Sequence, residues 1–158
     1  MDNTQSETTK YVLLSIQPEY AEQIFEGKKT VELRKAFPKI GRSQWVIVYV
    51  STPVKAIVGA FQIKHIVEEN PTGMWEKVKD IAGITREKFD SYYNGINLGY
   101  GIFIEQVIRY PEPISLNTLR ESSDNFSPPQ NFRYLDSDFA DNLNLLNFER
   151  CLQSQITV

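Results

Sequence analysis

The chain has 158 residues, of which 41% are hydrophobic and 23% are charged, and this composition is ordinary for one soluble globular domain. Its formal net charge of −3 argues against nucleic-acid binding by the molecule as a whole, so any such binding must rest on a local patch. The single cysteine, Cys151, excludes an intrachain disulfide and favours a cytoplasmic location. No apolar run reaches the roughly 18 residues of a membrane span, and the polar residues 1–10 predict a disordered lead-in without a signal peptide.

Charge is distributed unevenly along the chain. The segment 28–42 contains six cations and one acid, namely Lys28, Lys29, Arg34, Lys35, Lys39 and Arg42 against Glu32. The segment 121–149 contains six acids and one cation, namely Glu121, Asp124, Asp136, Asp138, Asp141 and Glu149 against Arg133. The basic segment can therefore hold an anion, while the acidic segment shields that site or competes for it.

In chain order, the sequence predicts a strand, a helix, three strands, two helices, a long strand, a short strand and a final helix, at Tyr11–Ile16, Pro18–Glu26, Thr30–Phe37, Trp45–Val50, Ala56–Val67, Met74–Ile81, Thr85–Tyr93, Tyr100–Tyr110, Asn131–Leu135 and Asp138–Cys151. Pro18 suits the first turn of a helix, and Gly27 suits the position after its end. Gly59 indicates a bulge or a sharp curl, and Pro111 is expected to end the long strand.

This pattern favours an α+β fold, in which residues 11–135 form a small mixed β-barrel of five or six strands with flanking helices. Residues 136–158 are predicted to form a helical extension that packs on or near the barrel.

Most catalytic motifs are missing from the sequence. A zinc site built from His and Cys needs more ligands than the one residue of each kind, His65 and Cys151. His65 lies among apolar residues of a predicted strand, which favours a structural role. The glycine-rich run Asn97–Gly101 enters a strand instead of opening a helix, so it does not match a phosphate-binding loop. The sequence therefore predicts no metal and no cofactor.

The charged residues after the first helix form the main candidate site, with Lys28 and Lys29 leading into a strand. On that strand, Glu32 and Arg34 share one face because side chains alternate. Arg34 can bind a phosphate or a carboxylate through two nitrogens, and the start of the preceding helix favours an anion. Glu32 can pair with Lys29 or Arg34, or it can accept hydrogen bonds from an amine-bearing base edge. The alternative is an exposed barrel face with surface ion pairs, each worth about 0–1 kcal/mol.

The chain resembles the ASCH family, which belongs to the PUA-like superfamily of small barrels. The likeness spans about residues 11–135 and is carried by Leu14–Ala21 with Ile24, Gly27–Lys35, Trp45–Val67, Tyr100–Glu105 and Pro128–Leu135. It implies a cleft beside the first helix that binds RNA, another single-stranded nucleic acid or a modified nucleotide.

By position, the resemblance places Ser15, Lys29, Glu32 and Arg34 around that cleft, and Lys28 adds a neighbouring cation for the ligand. Tyr20 and Tyr100 are candidate stacking partners for a base, and barrel packing is the alternative role of each.

Three functions stay open at this level. The first is nucleic-acid binding without chemistry. The second is hydrolysis of RNA or of a modified nucleoside, with Glu32 as the base and Lys29 as the electrostatic stabiliser. A related branch of acetylcytidine amidohydrolases matches Lys29, but its catalytic threonine falls at Glu32 and its catalytic glutamate near Ala82, so two of its three groups are replaced. The third is protein interaction through the acidic segment that begins at Glu121.

Overall fold

The computed structural model describes residues 11–123 and 125–145. Within them the chain forms six strands and five helices, which are β1 (Tyr11–Ile16), α1 (Pro18–Phe25), β2 (Val31–Arg34), β3 (Trp45–Val50), β4 (Ala56–Glu69), α2 (Pro71–Val78), α3 (Arg86–Tyr92), β5 (Gly99–Ser115), α4 (Leu116–Ser122), β6 (Phe132–Leu135) and α5 (Ser137–Asn142). The predicted lead-in over residues 1–10 and the lone Cys151 lie outside the described residues. The α+β class predicted from the sequence is confirmed.

The six strands form one mixed sheet in the order β2-β5-β4-β3-β1-β6. The pair β1 and β3 is parallel, and the other neighbouring strands are antiparallel. In the chain, α1 and β2 connect β1 to β3, and they form the crossover connection that a parallel pair requires. In the strand pairing of the described residues, β2 and β6 are the two end strands of the sheet.

The core lies on both faces of the sheet. Alternate residues of β1 divide between the two faces, because Val12 and Leu14 pack with α1, whereas Leu13 packs with Leu119 of α4 and Ala140 of α5. A third cluster joins β2 to α2 and α3. Burial on both faces explains why the central strands are continuous apolar runs instead of alternating ones.

Some predicted boundaries were wrong. β2 ends at Arg34 and not at Phe37. Arg34 pairs with Tyr100, and β5 begins only one residue earlier, at Gly99, so the residues after Arg34 have almost no partner strand to pair with. β5 continues past Pro111 to Ser115. The ladder between β4 and β5 breaks between Gly59 and Ile57, so the prolines occupy a bulged stretch where no ladder hydrogen bond is needed.

The helices differ from the prediction at their ends. α2 begins at Pro71 because the Asn70 side chain accepts a hydrogen bond from the Gly73 backbone at 2.8 Å. The Thr85 cap of α3 is confirmed, since Thr85 accepts from the Lys88 backbone at 3.2 Å. α4 was not predicted. The final helix begins at Ser137 and ends at Asn142 instead of running on from Asp138, and the predicted stretch from 146 to Cys151 lies outside the described residues.

Candidate functional site

A pocket of about 410 Å³ lies between the end of β1, the first turn of α1, β2 and α3. We call it the Lys29 pocket. Its lining residues are Ile16, Gln17, Glu19, Tyr20, Lys29, Glu32, Leu33, Arg34, Ile84, Lys88, Ser91 and Tyr92. Its walls come from separate stretches of sequence, so only the folded chain assembles the pocket.

The pocket contains a cluster of three charged side chains, of which Lys29 and Glu32 are buried and Arg34 is partly buried. Lys29 is 2% exposed and Glu32 is 6% exposed, which is unusual for these residue types. The Lys29 Nζ atom lies 3.9 Å from Glu32 Oε1, and the Arg34 Nη2 atom lies 3.5 Å from Glu32 Oε2. The Leu33 backbone N–H also donates to Glu32 Oε1 at 3.1 Å. Glu32 is therefore held from three sides in a fixed orientation.

A tight turn after α1 directs Lys29 into the pocket. The backbone N–H groups of Lys28 and Lys29 both donate to the Gln23 carbonyl, at 2.9 and 3.0 Å, and Gly27 adopts a φ of +78° that glycine tolerates best. The neighbouring Lys28 side chain stays in solvent, 72% exposed, and pairs with Glu26 at 2.9 Å. One turn thus separates a buried lysine from an exposed one.

The Lys29 ammonium donates a hydrogen bond to the Ala82 carbonyl. Burial lowers the pKa of Lys29, because desolvation disfavours its charged form; nearby Glu32 opposes this shift and nearby Arg34 adds to it. The amine therefore releases its proton more readily than an exposed lysine does, which suits a group that exchanges protons or hydrogen bonds with a ligand.

Arg34 is fixed by one partner in β1 and one partner just before β6. Its Nη2 donates to the Ser15 carbonyl at 2.6 Å, and its Nη1 donates to Asn131 Oδ1 at 3.2 Å. Its Nε is buried without a hydrogen-bond partner in the described structure. The guanidinium is therefore positioned by the protein before any ligand arrives, and retains one donor that is not used.

Aromatic side chains complete the pocket. The Lys29 ammonium lies 5.2 Å from the centre of the Tyr20 ring. The hydroxyls of Tyr92 and Tyr93 donate to the carbonyls of Leu33 and Arg34 at 3.3 and 3.2 Å, so α3 is tied to β2. Burial raises the pKa of both phenols, which keeps them protonated as donors.

The fold brings together four of the predicted site residues, Tyr20, Lys29, Glu32 and Arg34. Ser15 supports Arg34 through its backbone, but its side chain points to a second pocket, where Oγ donates to the Pro129 carbonyl at 2.6 Å. Lys28 and Tyr100 do not line the Lys29 pocket. Tyr100 is half-buried in β5 opposite Arg34.

Sequence reasoning missed the α3 wall and Asn131. Lys88 and Tyr92 are four residues apart on one side of α3, a spacing that the sequence displays. That spacing does not reveal which element the helix packs against.

His65 stacks on Phe103 with ring centres 4.4 Å apart and does not line the Lys29 pocket.

A second pocket of about 470 Å³ adjoins the first, and both contain Gln17. We call it the Lys55 pocket, and its lining residues are Ser15, Gln17, Tyr49, Ser51, Thr52, Lys55, Leu116, Arg120, Pro128, Pro129 and Gln130. These residues include two cations and several hydroxyl groups but no carboxylate. Burial raises the pKa of the Tyr49 phenol, against the opposing influence of Arg120. Such a lining is suited to an anion.

In the part of the chain that the structure describes, no group of three or more His, Cys, Asp or Glu residues is arranged to hold a metal ion. None of the helices in these ranges is long and apolar enough to cross a membrane.

Comparison with known proteins agrees with the fold. The model of the ASCH domain matches residues 14–115. An ASCH domain-containing ribonuclease from Zymomonas mobilis is 31% identical over 128 residues, which cover 80% of this chain and 84% of that protein. A crystal structure of ASCH from Zymomonas mobilis superposes with a TM-score of 0.79 at 29% identity, covering 87% of this chain and 95% of that one. The N-terminal domain of Staphylothermus marinus McrB, 13% identical, shares the fold with a TM-score of 0.54, covering 85% of this chain and 92% of that one. This chain is therefore a member of the ASCH domain family.

Proposed function

We propose that this protein binds single-stranded RNA, with one base in the Lys29 pocket and a neighbouring phosphate at the Lys55 pocket. The observation that carries the proposal is the Lys29–Glu32–Arg34 cluster, with Lys29 and Glu32 buried, within a pocket of about 410 Å³. That volume lies within the roughly 300–1,000 Å³ of small-molecule sites, which generally combine apolar walls with a few fixed polar groups.

The chemistry of the Lys29 pocket is complementary to a nucleobase. Glu32 can accept hydrogen bonds from an exocyclic amine, while Lys29 supplies a donor for a ring nitrogen or a carbonyl. The Tyr20 ring is available for stacking, which contributes about 1–3 kcal/mol per base. These contacts favour a base over a purely aliphatic ligand.

The Lys55 pocket supplies the charge that the whole molecule lacks. Lys55 and Arg120 line it without an accompanying carboxylate, although the net charge of the chain is −3. Because Gln17 lines both pockets, a single RNA strand can occupy both pockets with adjacent nucleotides. The ribonuclease name of the relative from Zymomonas mobilis favours RNA over DNA as the ligand.

Fluorescence anisotropy with a labelled single-stranded RNA tests the proposal. We expect Tyr20→Ala to weaken binding by about 5- to 150-fold, because stacking contributes about 1–3 kcal/mol. Lys55→Ala and Arg120→Ala should each lower the slope of log affinity against log salt by about one. Lys79→Ala is the matched control, since Lys79 is an exposed lysine at the C-terminal end of α2 and lines neither pocket. Equal binding by the Tyr20 variant and the control would reject the base pocket.

A second candidate function is RNA cleavage, which the named activity of the relative and the pairing of Glu32 with Lys29 favour. In this reaction Glu32 takes the proton of a ribose 2′-hydroxyl, whose oxygen attacks phosphorus. The bond from phosphorus to the 5′-oxygen breaks, which yields a 2′,3′-cyclic phosphate and, after protonation, a 5′-hydroxyl. Lys29 stabilises the phosphorane charge.

Glu32→Gln separates cleavage from binding. It keeps the size of the side chain and the acceptor for the Leu33 backbone but removes the base. We expect RNA to stay bound and intact with this variant, whereas the unaltered protein would produce fragments on a gel. Fragments from Glu32→Gln would remove Glu32 from this role.

Deacylation of acetylcytidine is not part of the proposal. The catalytic glutamate of that branch falls near Ala82, and in this protein the Ala82 carbonyl accepts a hydrogen bond from Lys29. An alanine methyl group cannot act as a base there.

A further inference from the structure

The two ends of the curled sheet are joined by side chains in the region of the Lys29 pocket. β2 and β6 are the end strands, and no backbone ladder pairs β2 with β1 or β6 in the described residues. Arg34 crosses this gap and donates to the Ser15 carbonyl of β1 and to the Asn131 side chain just before β6. The gap is thus spanned by one guanidinium with two fixed partners.

Asn131 uses both ends of its side-chain amide in this connection. Its Oδ1 accepts from Arg34, while its Nδ2 donates to the Ala36 carbonyl at 3.3 Å, just after β2. Its backbone carbonyl accepts from the Ser15 N–H at 3.3 Å. Asn131 therefore fixes the segment before β6 to both β1 and β2.

The same segment forms a wall of the Lys55 pocket. Pro128, Pro129 and Gln130 line that pocket, and the Pro129 carbonyl accepts from Ser15 Oγ at 2.6 Å. Glu32 in one pocket forms an ion pair with Arg34, and hydrogen bonds connect Arg34 to Asn131 and Ser15 and connect Ser15 to the wall of the other pocket. Movement of this segment would change the spacing between the two pockets.

We infer that Asn131 is a positioning residue, which holds the two pockets in the register that adjacent nucleotides of one strand require. This inference rests on the proposed binding of RNA. It predicts that loss of Asn131 weakens binding of an RNA strand that occupies both pockets more than binding of a nucleoside, which has a base for the Lys29 pocket but no phosphate for the Lys55 pocket. A residue that only supported the fold would weaken both to the same extent.

The test measures the affinity of a labelled single-stranded RNA decamer and the affinity of each of the four ribonucleosides, which carry a base and no phosphate. The proteins are the full chain, Asn131→Ala, Ser15→Ala and the control Asn97→Ala, an exposed asparagine that lines neither pocket. We expect Asn131→Ala to lower decamer affinity by about tenfold, in the range of ordinary coupling between sites, and nucleoside affinity much less. Ser15→Ala removes only the hydrogen bond to Pro129 and should change both affinities in the same direction as Asn131→Ala. It therefore serves as the test variant if Asn131→Ala fails to fold.

Two results would overturn the inference. One is decamer affinity in Asn131→Ala and Ser15→Ala equal to that in Asn97→Ala while the unaltered protein binds RNA. The other is an equal fold-loss of affinity for the decamer and for the nucleosides. Absence of RNA binding by the unaltered chain would instead reject the proposed function, and the inference with it.

Discussion

Lys29 combines deep burial with two charged neighbours, and its environment lowers its pKa by desolvation. The folded protein consequently releases the Lys29 proton at a lower pH than the unfolded chain, whose lysine titrates near 10.5. At pH values between the lowered pKa of the folded state and 10.5, the unfolded state binds more protons at Lys29 than the folded state does. Lys29 therefore makes the free energy of unfolding rise with pH in this range.

Lys29→Met isolates this contribution, because methionine fills similar space and does not titrate. We expect the unfolding free energy of the unaltered protein, minus that of the variant, to increase from about pH 7 to about pH 10. Urea denaturation at several pH values measures it, and the buried tyrosines titrate equally in both proteins. A difference that stayed constant or fell with pH would contradict the lowered pKa.

At the residue scale, alternation along one predicted strand placed Glu32 and Arg34 on the same face, and the family resemblance added Lys29, which precedes that strand. The sequence did not predict that Lys29 and Glu32 are almost fully buried. Burial depends on α3, which covers the β2 face from more than fifty residues away through hydrogen bonds from Tyr92 and Tyr93. Periodicity along a strand contains no information about such a distant cover.

At the scale of elements, Gly59 controls how β4 bends against β5. A Cβ atom at this position would lie 2.1 Å from the Ile108 carbonyl oxygen and 2.9 Å from the Phe25 ring. Because the nearest atom is backbone, a rotamer change cannot relieve this contact. The bulge expected from the glycine is confirmed by the break in register between Ile57 and Gly59.

Gly59→Ala should destabilise the protein by about 1–3 kcal/mol or more, as for other overpacked sites. The matched control is Gly41→Ala, where a Cβ meets nothing within 4 Å, so its effect should stay within about 0.5 kcal/mol. Chemical denaturation of the two variants gives both values. Similar stabilities would show that β5 shifts easily at Ile108.

Element ends were the least predictable feature of the fold. The first helix and the Thr85 cap followed from local chemistry, because Pro18 and Thr85 act within one turn of themselves. The extent of β5 did not, since Pro111 is compatible with a strand only where the partner strand makes no hydrogen bond to it. That condition depends on β4, which is distant in sequence.

For the whole molecule, the C-terminal region contributes to the core. Phe126, Leu135, Ala140 and Leu145 are buried in the same cluster as Leu13. Tyr110 of β5 also donates to the Leu145 carbonyl at 2.8 Å. The acids of this region that the structure describes are exposed, namely Glu121, Asp136, Asp138 and Asp141, while its apolar residues cover one face of the sheet.

A chain truncated after Arg120 should lose cooperative unfolding, because it lacks β6 and exposes the apolar face that β6 and α5 cover. Thermal denaturation followed by near-UV circular dichroism measures the loss. Neutralising the exposed acids with Asp138→Asn and Asp141→Asn should leave the transition in place. A truncated chain with a sharp, unaltered transition would contradict this role.

The sequence by itself determined the α+β class, the family resemblance, most strand positions and the identity of the charged group on β2. These features depend on local propensity and on side-chain alternation, which neighbouring residues set. Only the tertiary structure decided that Lys29 and Glu32 are buried, that Lys28 and Tyr100 do not line their pocket, and that Arg34 joins β2 to β1 and Asn131. The physical reason is that burial and hydrogen-bond partners come from segments far apart in the chain, which meet only when the sheet curls and α3 packs against it.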